Sequence, residues 1–278
     1  APMAAEDDIL RVHPASYLAE LRRELPAEGR KQLDADTWMS PGSLDAAFRA
    51  AGAAVRAVDL VLGGEVGNAF CATRPPGHHA ETDTPMGFCL FGNAALAAKH
   101  ALDHHGLSRV AVVDFDVHHG NGTQDLLWDE KRALVVTSQQ LPLWPGTGHP
   151  EEDGAHGNVM NLPLPPESTG ADMRDLYTVQ VFPRLRAFKP ELIIISAGFD
   201  AHQDDPLADR TGKTRCGSTR VVGGASGGSG GANQGGSVSL SCSTSSASKS
   251  AVACRSSVDC RSSVACRLSA ACRSDQIS

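Results

Sequence analysis

The sequence predicts an α/β domain with a mainly parallel sheet covered by helices on both faces. Three observations lead there. Residues 109–114, 133–137 and 191–196 are short runs that stay apolar at successive positions instead of alternating, as strands buried on both faces do. Longer segments with helical apolar spacing separate them, the order that builds parallel sheets. The polar clusters 78–79, 114–118 and 199–200 follow strand-like runs, where open α/β sheets bind their ligands.

The elements follow in chain order. Residues 43–62 form an Ala-rich helix that Ser43 can cap and Gly63-Gly64 ends. Residues 69–73 form a short strand, followed by the stiff turn Arg74-Pro75-Pro76-Gly77 and then His78-His79. A helix over 93–105 stops at Gly106, with His104-His105 solvated at its end. The strand 109–114 comes next, then a short helix over 122–129, the strand 133–137, a long helix over 170–188 and the strand 191–196.

After about residue 210 the chain changes character. It has no Phe, Trp or Tyr, is Gly/Ser-rich over 223–250, and repeats every six residues with Cys254, Cys260, Cys266 and Cys272. So little apolar surface cannot offset chain entropy, so disorder is the expectation for 210–278. The cysteine spacing is not that of a zinc ribbon. The domain organisation is therefore 1–209 plus a low-complexity tail, either natural or the product of repetitive or out-of-frame DNA.

Charge divides at the same place. Residues 1–209 carry 30 Asp/Glu against 16 Lys/Arg, whereas the tail carries 2 against 9. An acidic domain is a poor partner for nucleic acid and steers cationic substrates. No apolar run is long enough to span a membrane, and the acidic N-terminus is unlike a signal peptide. Only Cys71 and Cys89 lie in the domain, which fits a reducing, cytoplasmic compartment and two small buried apolar side chains.

The segment Asp114-Phe115-Asp116-Val117-His118 carries the chemistry. Residues two apart in an extended chain project the same way, so Asp116 and His118 can reach one cation together. Carboxylate oxygen and imidazole nitrogen are zinc donors. Asp114, one step deeper, is placed to orient another group. A third ligand is available in Asp200, whose alternative reading is a loop or helix-capping carboxylate. His78 and His79 can exchange protons beside a metal-bound water, with Asp114 and Asn121 as the groups that fix their tautomers.

Three motifs in this order resemble the zinc-dependent histone deacetylase and acetylpolyamine amidohydrolase superfamily. They are Arg-Pro-Pro-Gly-His-His-Ala at 74–80, Asp-Phe-Asp-Val-His-His-Gly-Asn-Gly-Thr at 114–123, and Ser-Ala-Gly-Phe-Asp-Ala-His at 196–202. Asn121 stands where class I members carry Asp, so the version resembles bacterial or class II proteins. The resemblance covers roughly residues 8–209. It implies an arginase/deacetylase-like fold, with Asp116, His118 and Asp200 as zinc ligands. It implies His78 with Asp114, and His79 near Asn121, as the general acid/base dyad. Gly87, Phe88 and Trp144 would line an acyl-lysine tunnel, and Asp36 would hold the substrate backbone at its rim. A structural K⁺ or Na⁺ near 114–118 and Ser138 goes with the family. The implied reaction removes acetyl groups from acetyl-lysine or acetylated amines; the oligomeric state stays open.

The chain departs from the family pattern soon after Ala208. No Tyr follows Tyr177, so the Tyr that holds the oxyanion in relatives has no counterpart. The family's first strand and last strands are also not visible, as in a truncated domain. The expectation is a weakly active or inactive chain. Two alternatives follow: a metal-binding pseudoenzyme or truncated gene product, and a binuclear manganese ureohydrolase-like enzyme that uses Asp200-x-His202-x-Asp204.

Overall fold

A computed structural model describes residues 1–202 and the backbone of 250–255. The N-terminal part holds helices α1 (Glu6–Ile9) and α2 (Ala15–Glu24) and a small antiparallel pair, β1 (Lys31–Gln32) and β2 (Trp38–Met39). There follow α3 (Ser43–Leu62), β3 (Asn68–Cys71), α4 (Asn93–Asp103), β4 (Val110–Asp114), α5 (Asn121–Leu126), β5 (Ala133–Thr137) and β6 (Val159–Asn161). The described chain then runs through α6 (Gly170–Leu176), a π-helical turn (Tyr177–Val181), α7 (Phe182–Phe188) and β7 (Leu192–Ala197).

The four strands β7-β4-β5-β6 are parallel neighbours in that order, with Asp114 level with Ser196 on one side and Thr137 on the other. The alternation of side chains along each strand divides the core. Val110 and Val112 of β4, with Val135 and Ile194, pack against α3 and α4 through Val58, Val61, Ala98 and Leu102. Ala111 and Val113, with Leu134 and Val136, face Val181, Leu176, Leu185 and Phe188 on the opposite side. Helices therefore cover both faces, which is why these strands are apolar throughout. A third cluster, Tyr17, Leu18, Leu21, Met39, Phe48 and Phe91, docks the N-terminal helices onto α3.

One strand comes from the tail. β8 (Ser250–Arg255) lies between β3 and β7 and is antiparallel to both, so β3 runs in the same direction as the parallel set. The reading of 210–278 as disordered does not extend to these residues. Ala251-Val252-Ala253-Cys254 is compatible with a strand, and its backbone pairs with amides and carbonyls of β3 and β7 that would otherwise form two sheet edges. The rest of the tail lies outside the described residues.

Two local expectations are corrected. Ser43 begins α3 but does not cap it; Gly42 is the N-cap, and Ser43 Oγ accepts from the Ser40 amide at 2.9 Å. The long helix is interrupted by the π turn. Pro183 lacks the N–H that would bond back to Val179, so the ladder widens immediately before it. Its start is fixed by Thr169, whose hydroxyl accepts from Ala171 and Asp172 while the Asp172 carboxylate accepts from the Thr169 amide.

Candidate active site

The site forms at the C-terminal ends of β4 and β7. Asp114 closes β4, and the chain leaves the sheet as Phe115-Asp116-Val117-His118. Asp114 Oδ1 accepts from the Asp116 amide at 3.0 Å, and Asp116 Oδ1 accepts from the His118 amide at 2.8 Å. Each acidic side chain thus shapes the backbone that presents the next residue. After β7, Asp200 Oδ1 accepts from the Val117 amide at 3.1 Å, tying the two strand ends together.

These links bring Asp116, His118 and Asp200 into one cluster, with one donor atom of each within 4.8 Å of the others. His118 Nδ1 lies 3.1 Å from Asp116 Oδ1 and 3.0 Å from Asp200 Oδ2. Gly198 makes this approach possible, because a Cβ there would overlap the Asp116 carboxylate. Two carboxylate oxygens and one imidazole nitrogen fit a catalytic zinc, which takes three protein ligands and keeps a position open. Burial pushes the His118 imidazole down, but hydrogen bonds and charge from Asp116 and Asp200 outweigh it and raise its pKa to about 9. The pair of carboxylates thus demands a positive charge, which a divalent ion would meet in place of the proton.

A pH dependence follows. His118 titrates higher in the metal-free folded chain than in the unfolded one. Its stabilising contribution is therefore complete below about pH 6.5 and lost as pH rises through about 9. A zinc ion bound there would displace that proton over the same window, so zinc affinity should rise by about tenfold per pH unit and level off above pH 9. Zinc titrations at several pH values check this; a pH-independent affinity would contradict it.

The two histidines stand against this cluster. Their loop is docked on α5, where the Gly122 and Thr123 amides donate to the His78 carbonyl at 2.9 and 3.1 Å, satisfying two orphan donors of that helix start. The rings lie 3.9 Å apart, tilted by 47°. His78 Nδ1 is 2.9 Å from Asp114 Oδ2, and His79 Nδ1 is 2.8 Å from Asn121 Oδ1. With oxygen acceptors at both Nδ1 atoms, each ring donates there, and in its neutral form carries its lone pair on Nε2. His78 Nε2 is 3.9 Å from Asp116 Oδ2. All four side chains are buried.

The residues expected to line a substrate tunnel are also near. Gly87 has φ 56°, and a Cβ there would strike the His79 ring, so only glycine lets this loop lie on the imidazole. Phe88 and Trp144 are 54% and 43% exposed, and Trp144 stacks edge-on to His79 with centroids 4.7 Å apart. Asp36 accepts from Thr37 Oγ1 at 3.0 Å, and that oxygen accepts from the Phe88 amide at 3.0 Å. Asp36 is thus one residue removed from Phe88. Ser138 joins the other side of β4, where the Asp114 carbonyl accepts from its amide at 3.0 Å and its hydroxyl at 3.3 Å. His202 is described, but Asp204, needed for the ureohydrolase-like pattern, lies outside the described residues.

Several contributors escaped the sequence reading. Glu81 accepts from Asn121 Nδ2 at 2.7 Å and fixes which way that amide points; its place two residues after His79 was the available signal. Cys71 and Cys89 are both buried thiols, as expected, and Cys89 Sγ also accepts from the His79 amide at 3.5 Å. His13 is buried and bridges segments, with Nδ1 donating to the Thr82 carbonyl and Nε2 accepting from the Gly92 amide, each at 3.0 Å. Nothing in its surrounding sequence signals that role.

Fold and site define a protein of the deacetylase type, and a histone deacetylase domain model matches residues 1–220; the chain belongs to that family. A histone deacetylase-like amidohydrolase of Pseudomonas aeruginosa is 43% identical over 213 residues, which are 75% of this chain and 56% of that protein. An uncharacterized protein of Synechocystis is 46% identical over 200 residues, covering 72% of this chain and 65% of its own length. The crystal structure of the HDA15 HD domain matches with a TM-score of 0.73 at 34% identity, over 78% of this chain and 63% of that one. The chain thus spans between about half and two thirds of the length of the curated relatives it matches. No helix among the described residues is long and apolar enough to cross a membrane.

Proposed function

We propose that the chain is a zinc-dependent amidohydrolase that removes acetyl groups from acetyl-lysine or acetylated amines. Asp116, His118 and Asp200 are its zinc ligands, and His78 and His79 its acid/base pair. One observation carries this reading: two imidazoles with Nδ1 tied down stand beside a carboxylate–imidazole triangle, with His78 Nε2 3.9 Å from a ligand oxygen. Zinc bound there supplies Lewis-acid activation of a carbonyl and of a water.

The protein's own residues supply the rest. Asp114 and Asn121 hold the rings so that each Nε2 faces the reacting groups, one to take a proton from water and one to protonate the leaving amine. Asp114 is charged and Asn121 is not, so the two rings are unequal partners in that exchange. Phe88 and Trp144 offer apolar faces to the methylenes of an acylated chain, and Asp36 offers a carboxylate to the substrate backbone at the rim. The acidic balance of residues 1–209 favours a cationic substrate such as a lysine-rich peptide or a polyamine. A structural K⁺ or Na⁺ beside the Asp114 carbonyl and Ser138, and a cytoplasmic location, belong to the same reading.

The oxyanion donor is the weak point of the machinery. The sequence has two tyrosines. Tyr17 donates to the Leu90 carbonyl at 2.8 Å, and Tyr177 shares a hydrogen bond of 2.9 Å with Ser138. Loss of one such donor costs on the order of 10²–10³ in rate. The 278-residue chain should therefore hydrolyse a fluorogenic acetyl-lysine substrate slowly, lose that activity to a chelator and regain it with zinc. Zinc binding without any turnover would support the pseudoenzyme reading instead. Turnover as fast as that of a full-length relative would contradict the role given to the missing Tyr.

A further inference from the structure

A second group of metal donors lies away from this site, where α4 ends. His100 and His104 are four residues apart and share a helix face. His105 follows where the helix gives way to Gly106, which has φ 70°. One ring nitrogen of each lies within 4.8 Å of the others. His100 and His104 stack with centroids 4.7 Å apart and 13° between planes, and His105 stands edge-on to both at 5.2 and 5.0 Å. Asp59 of α3 completes the group, its Oδ1 lying 2.7 Å from His100 Nε2 and 2.9 Å from His105 Nε2.

We propose that His100, His104 and His105, supported by Asp59, form a second metal site for a borderline divalent ion such as zinc or nickel. Three imidazoles with a carboxylate are a donor set that such ions select. His100 is buried, and its Nδ1 has no hydrogen-bond partner. The nearest carboxylate, Asp8, is 3.7 Å away and already receives a hydrogen bond from Arg11. His100 and His105 thus turn their Nε2 atoms to one carboxylate oxygen of Asp59, with the His104 ring stacked beside them, while the unmet Nδ1 of His100 lies toward Asp8. Tetrahedral bonds of about 2.0–2.1 Å require the donors to close to about 3.4 Å, and His104, exposed at the helix end, is the side chain able to move in. A cation is also favoured at a helix C-terminus. The bound ion would tie α4 to α3 just before the loop that enters β4. This places it at the opposite end of that strand from Asp114 and separates its role from catalysis.

The test uses the full 278-residue chain with its accessible cysteines alkylated, so that tail thiols do not bind zinc. Zinc content is measured by mass spectrometry after equilibrium dialysis at pH 7.5. The wild-type chain should hold two equivalents. The double variant His104→Ala/His105→Ala should hold one, and Asp116→Asn should also hold one, because the two sites are independent. Equal zinc content in wild type and the double variant overturns the proposal, whatever happens at Asp116. Should the double variant fail to fold, His104→Gln at an exposed position serves. It should weaken the second equivalent at least tenfold, and an unchanged dissociation constant overturns the proposal.

Discussion

Replacing Asp116 with alanine should abolish stoichiometric zinc binding at the active site and reduce acetyl-lysine turnover to background. In the proposed zinc site Asp116 is one of three donors, and losing even a group that only orients a ligand costs about 10–100-fold in metal affinity. Loss of a ligand itself should exceed that. The alanine variant also strips the His118 amide of its acceptor, a bond of 2.8 Å inside the protein. An unmet buried donor costs about 1–3 kcal/mol, so some loss of stability is expected as well. Asp116→Asn separates the effects: its amide oxygen can still accept from the His118 amide, while the charge needed by the metal is gone. Both variants should lose zinc and activity, and only the alanine variant should unfold markedly earlier in urea. Dialysis and denaturation curves decide this. An Asp116→Asn chain with normal zinc content would remove Asp116 from the ligand set.

The second large effect belongs to His79. His79→Ala should lower kcat by about 10²–10⁴-fold, the span of a positioned general acid or base, and change zinc affinity by no more than a few-fold. The ring bonds to Asn121, packs against Trp144 and meets His118 edge-on with centroids 6.1 Å apart, whereas His118 is held by Asp116 and Asp200 through its Nδ1. Asn121→Ala should reproduce part of the loss by releasing the ring's tautomer. Equal loss of zinc and of turnover in His79→Ala would make the residue structural instead.

The sheet was legible because burial on both faces leaves a direct mark: β4, β5 and β7 are apolar at every position that faces a helix. The helix at 43–62 and the pair of strands 133–137 and 192–197 needed little more than that. The N-terminal helices were not legible. α1 has four residues, and α2 is a short stretch whose burial depends on Met39, Phe48 and Phe91 arriving from elsewhere. β6 has three residues and exists only because β5 offers an edge. Similarly, a low-complexity tail contains no signal that Ser250–Arg255, at the start of its Cys repeat, would find a place between β3 and β7.

The site was more legible than the fold around it. Asp116, His118 and Asp200 converge as their motif placement implied, and His78 and His79 find Asp114 and Asn121. What the sequence hid was the support: Gly198 making room for a carboxylate, Glu81 aiming an amide, and Thr37 joining Asp36 to Phe88. Each is a contact between distant segments. His104-His105, read as solvated, proves half right: His104 is exposed, whereas His105 bonds to Asp59 beside a buried His100. The spacing of those histidines was visible; the carboxylate from α3 was not.

The ligand set is tested most directly by zinc-edge anomalous diffraction from crystals of the zinc-loaded chain. A strong anomalous peak is expected about 2.0–2.2 Å from a carboxylate oxygen of Asp116, a carboxylate oxygen of Asp200 and Nδ1 of His118. A zinc-loaded crystal with no peak among these three residues, or with His78 or His79 bound to the ion in place of one of them, would contradict that ligand set.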